Sequence, residues 1–145
     1  LYRTTGQIGA IPAGRLVYFH NHGDPGPGLY LPERWRANRI QLQERGSLLP
    51  SPEDVRWLEP LPPEGFYRVL EEFHCCEQRC RSFEVELMVQ LGYDATGQAI
   101  VFVPEIVDGM LAVPEQGSRI DHDRLAHLKL LKIAINDRGQ APAIH

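Results

Sequence analysis

Apolar and polar positions alternate along most of this chain, and the alternation is broken by proline and glycine. Residues 15–20 and 28–31 are two short apolar runs separated by Asp24-Pro-Gly-Pro-Gly28, which predicts a β-hairpin. Pro32 cannot donate a ladder hydrogen bond, so the second strand should stop or lie at an edge there. Residues 82–91 and 98–103 predict a second hairpin, with Phe83, Val85, Leu87, Val89 and Leu91 on one face. Residues 66–75 carry a mixed signal. Leu70 and Phe73 are three apart, as on a helix, but Gly65 and the aromatic residues favour a strand.

Two short helices complete the reading. Residues 52–58 have Ser51 to cap them, Pro52 at the first helical position and Asp54 at the positive end. Residues 121–131 place Leu125, Leu128 and Leu131 on one stripe, with Asp121 as cap and Asp123 four residues before His127. Lys132 to Ile135 is expected to run out as a last strand.

The two hairpins resemble one another. With Asp24 set against Asp94, residues 16–33 and 86–105 each read as apolar run, Asp-led turn, apolar run and Pro-Glu. Gly46-Ser-Leu48 then answers Gly109-Met-Leu111, and Asp54, Leu58 and Leu61 answer Asp121, Leu125 and Leu128. The expected fold is mainly β, a β-rich α+β chain. It is internally duplicated, forming a pseudo-two-fold barrel or sandwich with two short helices. Residues 1–145 are read as a single domain with pseudo-repeat halves at about 8–64 and 65–137 and a flexible tail at 138–145.

Composition narrows the function classes. The chain has 15 Lys+Arg against 19 Asp+Glu, a formal charge of −4, which gives no electrostatic footprint for nucleic acid. The uncharged apolar run of residues 95–104 is about half of what a bilayer crossing needs. No export signal is visible, so the expected location is cytoplasmic, with no membrane partner. Gly-x-Ser-x-Gly, a Walker loop, Gly-x-Gly-x-x-Gly and His-Glu-x-x-His are all missing. The two prolines of residues 24–28 remove the amide donors that a phosphate would need.

Three clusters remain as candidates. His20, His22 and Asp24 lie at a hairpin end, and the two imidazoles share one side of a strand, a pattern that presents nitrogen ligands or a general base. His74, Cys75, Cys76 and Cys80 bring thiolate and imidazole within seven residues, the ligand set that zinc prefers. Adjacent cysteines on a strand point in opposite directions, however. Reduced structural thiols and a Cys75–Cys80 or Cys76–Cys80 disulfide are the competing readings. Arg34, Trp35, Arg36 and Arg39 concentrate guanidinium groups around one indole, where the second half looks about six residues shorter. The function expected is a non-catalytic protein-binding or assembly module with no cofactor. It would contact a protein partner or a second copy, a dimer first, through Arg34, Trp35, Arg36 and Arg39. The alternative is a zinc-binding protein or metal-dependent enzyme using one of the His or Cys clusters.

Overall fold

The computed structural model describes residues 1–136, and the tail expected at 138–145 lies outside them. Strands begin earlier than the periodicity indicated. The first, β1 (Tyr2–Thr4), is too short to show alternation. It is followed by β2 (Leu16–Asn21), β3 (Pro27–Tyr30), β4 (Pro32–Arg36), β5 (Arg39–Leu42), β6 (Ser47–Leu48) and β7 (Leu58–Pro60). Strand β3 ends before Pro32, which instead opens a separate hairpin, β4–β5. A single 3₁₀ segment, Pro52–Trp57, leads into β7, and the Ser51 hydroxyl accepts from the Glu53 N–H as expected of its cap.

The second half repeats the list with one addition. It contains β8 (Gly65–Val69), the small hairpin β9 (Phe73–His74) and β10 (Ser82–Phe83), then β11 (Met88–Tyr93) and β12 (Ala99–Phe102). After these come β13 (Glu105–Val107), β14 (Met110–Ala112), β15 (Ser118–Arg119), a 3₁₀ segment (His122–His127) and β16 (Leu128–Leu130). Residues 66–75 therefore do not form one strand; the chain leaves the ladder after Val69. The expected helix over 121–131 stops at His127. The strand follows at once, so Lys132–Ile135 adds none. Asp121 makes no side-chain cap bond, and His127 lies 3.8 Å from Glu71 rather than pairing with Asp123, which pairs with Arg124.

Two antiparallel five-stranded sheets result, ordered β6-β3-β2-β1-β7 and β15-β12-β11-β8-β16. The chain is thus mainly β with two short helices, as the sequence led us to expect. Among the described residues neither sheet closes into a barrel. Strand for strand the two orders are the same, and so are the registers. Tyr2 faces Val17 and Pro60, while Tyr67 faces Val89 and Leu130. Outside the ladders, Trp57 O accepts from Thr5 N and His127 O from Leu70 N, each at 2.8 Å. Glu86 (φ 68) adopts the left-handed backbone that Gly14 (φ 78) adopts at the matching place. These ladders match Val17 with Val89, two residues away from the Asp24–Asp94 alignment. A slip of two keeps every side chain on its face, so alternation alone could not expose it.

The apolar faces form two cores. The smaller holds Ile8, Ile11, Val17 and Leu29 under the first sheet. The larger holds Tyr67, Val69, Val89, Leu91, Tyr93 and Val101 with Phe73, Phe83 and Leu125. It also takes Leu16 and Leu61 from the first half. The halves therefore share a core rather than merely touching. Val85 is exposed because the chain turns at Glu86, removing it from the face it was expected to share.

Candidate functional site

The hairpin β4–β5 is the first candidate, because it carries Arg34, Trp35, Arg36 and Arg39. Its turn is two residues long, Ala37 (φ 51) and Asn38 (φ 64), a backbone that Asn tolerates better than most residues. The hairpin lies across strand β11 of the second sheet. Trp35 Nε1 donates to Tyr93 O at 2.7 Å, and Asn38 Nδ2 donates to Gln90 Oε1 at 3.0 Å and to Pro114 O at 2.9 Å. Gln90 Nε2 returns a bond to Ala37 O at 3.0 Å. Gln90 is buried, and an unpaired buried amide is costly, so the hairpin is the partner that makes this residue tolerable in a sheet. Gly92 is required beneath it, since a Cβ there would lie 2.8 Å from Asn38 O.

Trp35 thus serves the fold, with 41% of its surface still exposed, while Arg34, Arg36 and Arg39 point to solvent. Arg36 and Arg39 face one another across the ladder, and none of the three arginines has an ion-pair partner among the described residues. The hairpin is not an insertion. The second half has its counterpart in β13–β14, and Leu29↔Ser47 matches Val101↔Ser118, so the intervening lengths differ by one residue rather than six.

The histidine cluster forms only in part. His20 and His22 stack with ring centroids 4.2 Å apart, as two positions on one side of a strand should. His22 Nε2 and the Tyr30 hydroxyl share a hydrogen bond of 2.6 Å, and Tyr18 packs at 6.1 Å from His20. Together with Leu42 and Gln43 these rings line a shallow hollow of about 190 Å³. Among the described residues Asp24 does not complete a three-ligand set with the imidazoles.

The thiol cluster forms more completely than the strand rule allowed. Cys75, Cys76 and Cys80 occupy the tip of the β9–β10 hairpin, beyond the ladder pairs His74↔Ser82 and Phe73↔Phe83. Free of strand geometry, Cys75 and Cys76 turn to the same side, and Arg79 (φ 56) brings Cys80 back towards them. The Cys75–Cys76 sulfurs are 3.5 Å apart, the Cys76–Cys80 pair is 4.0 Å apart, and all three lie within 4.8 Å. All three are free thiols. Arg81 N donates to Cys75 Sγ at 3.3 Å. The Cys80 backbone N–H, and then the Cys75 thiol, pull the Cys76 thiol below its ordinary pKa, whereas its bond to Cys76 pushes Cys80 up. His74 is not part of this group. It borders a neighbouring polar hollow with Cys76, Glu77 and Arg124. His74 and His20 line separate hollows.

A fourth feature escaped the sequence reading. Hairpin β13–β14 is exposed along its whole length, with Ile106 at 70%, Met110 at 72% and Leu111 at 59%. Its two-residue Asp108-Gly109 turn, preceded by Ile106-Val107 and followed by Met110-Leu111-Ala112, was the signal available. No protein family, curated protein or solved structure matches this chain. No helix among the described residues is long and apolar enough to cross a membrane.

Proposed function

We propose that this chain is a non-catalytic assembly module, built from two copies of one small β unit, that self-associates through hairpin β13–β14. The duplication is supported by the common strand order and the common ladder registers. The observation that carries the self-association is the unequal fate of two matching hairpins. One is laid on a sheet, and the other exposes Ile106 with Leu111 on one face and Val107 with Met110 on the other. Exposed apolar side chains paired in this way mark an interaction surface. The occupant proposed is a second copy, because this chain already contains the hairpin-on-sheet contact that such a hairpin makes. Exposed Arg34, Arg36 and Arg39 belong to the proposal as charged rim contacts around Trp35. Free thiols fit a reducing compartment, which supports a cytoplasmic location. Sedimentation velocity over a concentration series tests the reading. The wild type should exceed monomer mass, and Ile106→Asp with Leu111→Asp should remain monomeric. A wild type that stays monomeric throughout overturns it.

The sulfur geometry favours a second reading, a thiolate metal site at Cys75, Cys76 and Cys80. Zinc–sulfur bonds of about 2.3 Å in a tetrahedron set the sulfurs about 3.8 Å apart. Two of the three separations, 3.5 and 4.0 Å, bracket that value, and all three sulfurs lie within 4.8 Å of one another. Three thiolates leave a fourth position for water or another donor, and a metal here would brace the hairpin tip. Elemental analysis of untagged protein should find about one zinc per chain, lost in Cys76→Ser with Cys80→Ser. Metal well below one equivalent removes this reading.

A further inference from the structure

We infer that hairpin β13–β14 of one molecule docks on the Tyr18–His20–Tyr30 face of a second copy, which rests on the assembly reading and adds its receiving surface. The ladders define that surface. With Val17 matched to Val89, Tyr18 takes the place of Gln90, His20 that of Gly92 and Tyr30 that of Phe102. Gln90, Gly92 and Phe102 form the face of the second sheet that lies against hairpin β4–β5. The matching face of the first sheet lies open, with Tyr18 and His20 exposed and Tyr30 half-buried around a shallow hollow.

The hairpins correspond residue by residue. Trp35 faces Ile40 across one ladder and Ile106 faces Leu111 across the other, each the second pair from a two-residue turn with positive φ throughout. Trp35 and Ile40 are the residues that the first hairpin turns inward: one binds Tyr93 O and the other packs on the larger core. Ile106 and Leu111 therefore occupy docking positions, and both are exposed. Each molecule thus has an uncovered hairpin and an uncovered receiving face. Neither is covered by the described residues of its own chain.

The chemistry changes together on the two sides. In the internal contact a polar acceptor, Gln90, meets a polar tip, Asn38. At the matching places the receiving face is aromatic, with Tyr18, His20 and Tyr30, and the hairpin is aliphatic with Gly109 at the tip. The seating differs in one respect. His20 stands where only glycine lets the first hairpin's backbone approach, so the second hairpin rides higher, over the imidazole. Because the contact joins two different patches, each patch can be disabled separately.

Two complementary variants test this. Ile106→Asp with Leu111→Asp removes the hairpin's apolar face, and Tyr18→Glu with His20→Glu removes the receiving face. All four side chains are exposed, and unchanged thermal melting verifies that each variant folds. Each variant alone should lose self-association by about tenfold or more. An equimolar mixture should recover a one-to-one complex, since each supplies the patch the other lacks. Association of the Tyr18/His20 variant at wild-type strength, or a mixture that fails to pair, overturns the receiving face while leaving self-association intact. A monomeric wild type overturns both. Tyr18→Ala with His20→Ala, which adds no charge, should weaken association in the same direction and guards against a variant that misfolds.

Discussion

Gln90 and Asn38, 52 residues apart, bond amide to amide at 3.0 Å, and this pair fastens the hairpin of one half to the sheet of the other. Gln90 is buried, so removing Asn38's donor leaves an acceptor without water or partner. Asn38→Ala should destabilise by about 1–3 kcal/mol, and by more than an equivalent change at the exposed tip residue Asp108. Denaturant unfolding of the two variants measures the difference. Equal, small effects would show that the hairpin is held by other means.

Gly92 provides a steric counterpart. Its Cβ would meet Asn38 O at 2.8 Å, and that atom is backbone, so Gly92→Ala must lift the hairpin. The expected cost is about 1–3 kcal/mol. Trp35 should be displaced along with the hairpin, shifting its fluorescence to the red as the Tyr93 bond lengthens. In a Trp57→Phe background the signal reports Trp35 alone, and an unmoved spectrum argues against the coupling.

Leu16 and Leu58 belong to the same half but should differ in consequence. Leu16 is fully buried in the larger core beneath the second sheet, whereas Leu58 is half-buried beside the smaller one. Leu16→Ala should cost about 2–5 kcal/mol, with Leu58→Ala clearly below it. Chemical denaturation gives both values. Similar losses would imply that the two cores carry equal weight.

Glu64 makes stability depend on pH in a direction that can be worked out. Burial raises its pKa, and this outweighs the Ile40 N–H, at 3.1 Å, and the Arg39 charge, which lower it. A raised folded pKa contributes stability that is present below the unfolded value, about 4.3, and is lost as pH rises through the folded value. Glu64→Gln keeps an acceptor for Ile40 but cannot ionise. Its melting temperature relative to wild type should therefore rise from acid towards neutral pH. A relative loss that grows with pH would contradict the sign.

Much of the local structure was legible because it depends on single residue types. Ser51 before Pro52 defined a capped turn, and Asp24-Pro-Gly-Pro-Gly28 and Asp94-x-x-Gly97 separated the strands of two hairpins. The likeness between the halves was also visible, although its register slipped by two residues. The candidate site was less legible. Strand geometry argued against Cys75 and Cys76 sharing a ligand, but both lie in a turn where that rule does not hold. The three-residue strands β1, β7 and β16 carry no period long enough to read.

Within the ladders, the sequence by itself determined which residues face together, because alternation has a period of two and glycine and proline punctuate it. It did not determine which faces meet. Trp35 and Ile106 hold matching places in two hairpins, one Arg-rich and one aliphatic, but the ladder registers reveal that match and the chain's local pattern does not. Only the tertiary structure decided that Trp35 would lie on Tyr93 and that Ile106 would be left in solvent. Contact between the halves depends on pairs such as Asn38 with Gln90, 52 residues apart, and no local pattern encodes a partner that distant.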